Sequence, residues 1–185
     1  MKRVLVPLAE GFEELEAVTI IDLLRRAGVE VIVAALAGNP VKGAHGIAIT
    51  ADVPLDAVAA QDFDLIALPG GMPGAEHLKQ DPRIRRIVGR LHQGGSRVAA
   101  ICAAPMVLAA AGVLSGRRAT SYPGFLENAG GATVVGDAVV VDDRVITARG
   151  PGTALDFALE LVAQLLGPAA RQRVELPLQR SQPGH

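Results

Sequence analysis

The chain has 185 residues, half of them apolar, with 21 glycines, 12 prolines and a formal net charge of −1. That length suits one globular domain with a substantial core. Scattered charge and a 3% aromatic content leave neither a basic footprint nor stacking platforms for nucleic acid.

VLVPL (4–8) reads as a short buried strand, and residues 11–28 then carry helical spacing. The apolar stripe of that helix is Ala17, Ile20, Ile21 and Leu24, with Gly28 as its stop. VEVIVAAL (29–36) is β-branched and strand-like, and GIAITAD (46–52) holds a shorter strand. LIALPGG (65–71) is a strand ending in a glycine turn. Residues 81–94 form a helix with Asp81 as cap and Pro82 in its first position. SRVAAIC (96–102) is the next buried strand, and PMVLAAAGV (105–113) the next helix. VVVDDRVIT predicts a hairpin turning at Asp142-Asp143, ahead of a helix over 153–166 and a polar tail, QRSQPGH. Strands alternating with helices imply a mostly parallel sheet covered on both faces, with chemistry at the carboxyl ends of its strands.

Cys102 is the single cysteine, so it forms no internal disulfide, and no CxxC or Cys/His cluster points to zinc. The first apolar run is too short for a signal peptide, and none reaches transmembrane length. A cytoplasmic chain with no membrane contact and a reduced thiol is expected. Cys102 falls at a strand-to-helix corner, where Pro105 pre-sets the next helix. A helix N-terminus there lowers a thiol pKa. By position alone, a reactive thiol and a small buried core residue fit equally well.

Glu13, Glu14 and Glu16 open the first helix, at the same sheet edge. Glu14 there complements the helix dipole. Glu16 lies four residues before Ile20, on the stripe facing the core. A carboxylate there is costly unless paired or protonated, and beside a thiolate it makes a proton shuttle. The acidic turn argues against a phosphate-binding first loop. Gly70 and Gly71 let backbone approach a ligand and expose amides, as an oxyanion hole needs. Ser121 and Tyr122 lie at a strand end. His77 and His92 fall in polar helical stretches and His185 in the tail, which leaves His45 as the histidine best placed to line a site. Arg149 suits an anion or, more commonly, a structural ion pair.

LAEGFEELEAV, DLLRRAGVEV, LPGGMPGA, AAICAAP and TARGPGTALDFAL, in this order, together resemble the DJ-1/ThiJ/PfpI superfamily over nearly the whole chain. Residues 166–180 (LGPAARQRVELPLQR) resemble the extra C-terminal segment of its DJ-1 branch. The resemblance implies a flavodoxin-like three-layer sandwich with a mostly parallel sheet and a short β-hairpin, in one domain over 1–185 with a helical extension at 167–180. It also implies a homodimer that needs no cofactor or metal.

The resemblance further makes Cys102 the nucleophile and Glu16 its protonated partner. Amides of Gly71 and Ala103 would form the oxyanion hole, with Gly70, Tyr122 and His45 around the substrate. The activity implied is a stress-defence glyoxalase or protein deglycase acting on small reactive carbonyls or glycated groups. The alternatives are a non-catalytic redox sensor or chaperone-like dimer in which Cys102 becomes a sulfinate, and third, a cysteine peptidase-like hydrolase. One departure bears on the last. Many members carry a histidine where this chain has Tyr122, and a tyrosine with its pKa near ~10 is a poor base.

Overall fold

The computed structural model describes residues 1–126 and 131–180, so His185 and the end of the polar tail lie outside the described residues. In chain order the elements are β1 (Arg3–Leu8), α1 (Glu14–Arg26), β2 (Glu30–Ala35), β3 (Val41–Lys42), β4 (Ala48–Ile49) and β5 (Val53–Pro54). Next come β6 (Leu65–Leu68), α2 (Gly74–Gln80), α3 (Pro82–Gln93), β7 (Arg97–Ile101), α4 (Pro105–Ala110), β8 (Arg118–Ala119) and β9 (Thr133–Val134). The last are β10 (Val139–Asp142), β11 (Val145–Ala148), α5 (Ala154–Leu166) and α6 (Pro168–Glu175).

Seven strands form the central sheet in the order β10-β11-β7-β6-β1-β2-β5. All neighbours are parallel except β10, which pairs antiparallel with β11. This is the expected α/β sandwich with its short hairpin. Side-chain alternation along the strands feeds two cores. Val4, Val6 and Leu8 of β1 point to one, where Ile20 and Leu24 of α1 meet Phe157 and Leu161 of α5. Leu5 of β1 with Ile66 and Leu68 of β6 points to the other, which Ile84, Val88 and Leu91 of α3 and Val107 and Leu108 of α4 complete.

Several boundaries differ from the sequence reading. α1 begins at Glu14 rather than Gly11, because residues 11–13 are spent on tertiary pairing. The Gly11 amide donates to the Lys42 carbonyl and the Glu13 amide to the Gly70 carbonyl. The segment over 46–52 contributes only β4, which pairs with β3 outside the main sheet. α2 is the polar helical stretch expected around His77, and it begins at Gly74, three residues after the glycine turn at 70–71. The β10–β11 turn is Asp143-Arg144, one residue later than expected, since Asp142 pairs with Val145. Asp143 takes a left-handed φ of 54°, which a short polar side chain tolerates. Asp81 caps α3 as expected, its carboxylate accepting the Arg83 amide at 2.8 Å.

The carboxyl ends of β1, β6, β7 and β11 share one edge of the sheet. Residues 9–13, 69–73, 102–104 and 149–151 therefore converge there.

Candidate active site

β7 delivers Cys102 to the corner before α4. The Cys102 amide donates to the Ala148 carbonyl at 2.9 Å, and the Tyr122 amide donates to the Cys102 carbonyl at 2.8 Å. Clamped on both sides, Cys102 adopts φ 64°, a left-handed conformation that costs a non-glycine residue on the order of 1–2 kcal/mol. The strain turns the side chain out of the strand line, as at the nucleophile elbow of α/β hydrolases. Ala103 and Ala104 follow, both buried and small, so the corner is tight. Cys102 itself is partly exposed.

Glu16 reaches this corner from the first turn of α1 and is completely buried. Its Oε2 accepts the Gly70 amide at 2.8 Å, while Oε1 is buried with no donor. A Cβ on Gly70 would lie 2.7 Å from the Cys102 Cβ and 2.8 Å from Glu16 Oε2, so only glycine fits between the two groups. Burial is the main cause that pushes the Glu16 carboxyl up from 4.5 to about 7. The Gly70 amide and Cys102 pull it back, and the charge of Glu13 adds to the rise. Burial and then the Glu16 charge push the Cys102 thiol up to about 12, against amides of Ala103 and Gly71 directed at the sulfur. The expected lowering by the following helix does not prevail. α4 has six residues, and its end field is outweighed by burial and the carboxylate.

The pair therefore takes up a single negative charge, on Glu16, as pH rises through about 7. A carboxyl poised near 7 beside a thiol is suited to take the sulfur's proton as a bond forms and to return it later. The backbone supplies the complementary donors. Amides of Gly71 and Ala103 face the sulfur, whereas the Gly70 amide, expected among the substrate-binding donors, is already taken by Glu16.

The remaining expected site residues divide. Tyr122 is brought to the corner through its backbone, with its ring half exposed and edge-on to Phe125 at 6.3 Å. Ser121 is buried, its hydroxyl turned to the Tyr122 carbonyl. His45 joins Glu14 instead, Nδ1 lying 3.0 Å from Oε2. His77 Nδ1 contacts the Glu10 carbonyl, and His92 sits near Arg117 and Arg144. Arg149 forms no ion pair among the described residues, and its guanidinium donates to the Gly136 carbonyl at 3.0 Å. Glu14 does more than complement a dipole. It is buried and accepts the amides of His45 and Ile47. Sequence spacing could not show this, because the partners lie 31 and 33 residues away.

Comparison with known proteins adds to this geometry. The profile described as the DJ-1/PfpI family matches residues 2–164. Protein DJ-1 homolog B of Arabidopsis thaliana is 43% identical over 187 residues, covering 99% of this chain and 43% of that protein. This chain spans less than half the length of that relative and of its homolog A. A Caenorhabditis elegans protein named glutathione-independent glyoxalase DJR-1.2 is 39% identical over 170 residues, covering 91% of each. Among solved structures, oxidized DJ-1 of Toxoplasma gondii superposes with a TM-score of 0.94 at 36% identity, covering 98% of this chain and all of that one.

Proposed function

We propose that this chain, which belongs to the DJ-1/PfpI family, is a cysteine-dependent, cofactor-free enzyme that acts on 2-oxoaldehydes or their adducts. The observation that carries the reading is the pairing of Cys102, strained outward at φ 64°, with a fully buried Glu16 whose Oε1 has no other donor. A relative that this chain matches over 91% of both lengths is named a glyoxalase that works without glutathione. Where glutathione supplies no thiol, Cys102 can supply one from the protein itself.

With methylglyoxal, the Cys102 sulfur forms a bond to the aldehyde carbon as Glu16 removes the thiol proton. Glu16 returns that proton to the carbonyl oxygen, which becomes the hydroxyl of a hemithioacetal, steadied by the amides of Gly71 and Ala103. Glu16 then moves the proton of the former aldehyde carbon to the neighbouring carbon, while the hydroxyl proton passes to the oxygen on that carbon. This converts the hemithioacetal to a lactoyl thioester with no net oxidation. Water breaks the carbon–sulfur bond, releasing lactate and the thiol. On a glycated amine the same attack releases the amine, which is the deglycase form of the chemistry. Glu16 is the base, since His45, His77 and His92 face other partners. Among the described residues, the peptidase-like alternative therefore has no histidine base to call on.

A second reading is favoured by the partial exposure of Cys102 and the amides directed at its sulfur. Oxidised to a sulfinate, Cys102 would gain charge where those donors already point, making the chain a redox sensor or chaperone-like dimer. Self-association as a homodimer is supported by Leu15 and Val18 of α1 and by Ile47, apolar residues left exposed beside one another's elements.

The test measures lactate from methylglyoxal without added thiol for wild type, Cys102→Ala and Glu16→Gln. Turnover by the wild type alone is expected. Equal turnover by all three overturns the mechanism. Loss of turnover in every form, with a peroxide-driven gain of two oxygens that Cys102→Ala abolishes, favours the sensor.

A further inference from the structure

We propose that Glu13, Glu14 and His45 form a binding site for a divalent transition-metal ion of the zinc class, separate from Cys102. The site lies where the chain entering α1 meets the loop between β3 and β4. Glu14 Oε2 is 3.0 Å from His45 Nδ1, and Glu13 Oε2 is 3.5 Å from the same nitrogen. One ligand atom from each residue lies within 4.8 Å of the others. With metal–ligand bonds of about 2.0–2.1 Å, the edges of a tetrahedron are about 3.3 Å. The two edges that meet at His45 Nδ1 are thus close to that length, and the third, between the carboxylates, lies within 4.8 Å.

The donor set is held by the fold itself. Glu14 Oε1 accepts the amides of His45 at 2.7 Å and Ile47 at 3.2 Å, which turns Oε2 toward the imidazole. The Ala44 amide donates to the Phe12 carbonyl, and the Gly11 amide to the Lys42 carbonyl, so the loop is pinned to the turn before α1. A Cβ on Gly43 would collide with the Glu14 carboxyl, so glycine makes the room the carboxylate occupies. These backbone bonds orient a ligating carboxylate as a second coordination sphere does.

Burial and chemistry define the occupant. The Glu14 and Glu13 side chains are 6% and 15% exposed and form the floor, while His45 is 70% exposed and forms an open wall. Among the described residues, the Glu13 carboxylate has no hydrogen-bond donor and only His45 as an ion-pair partner. Two carboxylates so close repel each other, and an ion bound to both replaces that repulsion with attraction. One imidazole nitrogen with two carboxylate oxygens suits zinc, cobalt or a similar ion. Magnesium and calcium prefer six or more oxygens, which this corner lacks. The exposed side leaves a fourth position for water.

The test titrates Co²⁺ into the full chain and follows its visible absorption, in a Cys102→Ala background so that sulfur is not a ligand. One ion per chain is expected, displaced by Zn²⁺. Its affinity should fall about 10-fold or more in His45→Ala and likewise in Glu13→Gln. Neither substitution touches the amides that Glu14 holds, and unchanged melting curves verify the fold. No binding, or binding that survives both substitutions, overturns the site and leaves an ordinary histidine–carboxylate ion pair. Because the readout uses a chain without Cys102, its outcome is independent of the carbonyl chemistry.

Discussion

Replacing Glu16 with glutamine should make the protein more stable at alkaline pH while abolishing turnover. Gln keeps an oxygen for the Gly70 amide but cannot carry charge. The folded wild type holds its Glu16 proton up to about pH 7, whereas an unfolded chain releases it near 4.5. Between those values the folded state binds more protons, so stability falls as pH rises through the window and is level above it. At 1.36 kcal/mol per pH unit, the buried charge costs about 3 kcal/mol at pH 8. For a chain of this size that corresponds to a melting-point difference on the order of 10 °C. Urea unfolding followed by circular dichroism, at one protein concentration, checks this. Wild type and Glu16→Gln should differ little at pH 4.5, and the variant should be the more stable at pH 8. A difference of the same size and sign at both pH values would refute the idea that burial of the charge governs this group.

Gly70→Ala should lower both stability and turnover, because its Cβ would press on Cys102 and Glu16; overpacking of this kind costs about 1–3 kcal/mol, read from the urea midpoint. Phe157→Ala should cost about 3–5 kcal/mol with little change in Cys102 alkylation in the fraction that remains folded, since Phe157 of α5 is wholly buried in the core it shares with α1. Asp81→Ala removes the α3 cap and one partner of Arg83, a loss of about 1 kcal/mol that melting at fixed concentration would detect.

The sequence made some features readable and hid others, for physical reasons. The β-branched run at 29–36, the small apolar run at 96–102 and the stripe through Ile20 and Leu24 revealed the sheet and its covering helices, because burial leaves an apolar trace. Glu16 was readable for the same reason, as a charge on an apolar stripe. The start of α2 was not, since Gly and Pro there look like a turn. Nor was the fate of the Gly70 amide, which depends on a residue 54 positions away. Glu14 looked like an ordinary first-turn acid until the loop carrying His45 folded over it. The likeness of the segments to a known superfamily identified Cys102 beyond what position alone allowed.

The Gly70–Glu16 bond has a consequence for the life of the chain before it is complete. Its two ends come from β6 and α1, and the sulfur beside them from β7. A chain that has docked only α1 and β6 holds a carboxyl facing an empty corner, and a chain with β7 unpaired holds an ordinary, fully hydrated thiol. The paired chemistry therefore exists only once α1, β6 and β7 are assembled together. Time-resolved alkylation during refolding would follow the slowing of that thiol as a clock for the meeting of these three elements, and reactive side chemistry in newly made protein should resemble that of any free cysteine until the clock stops.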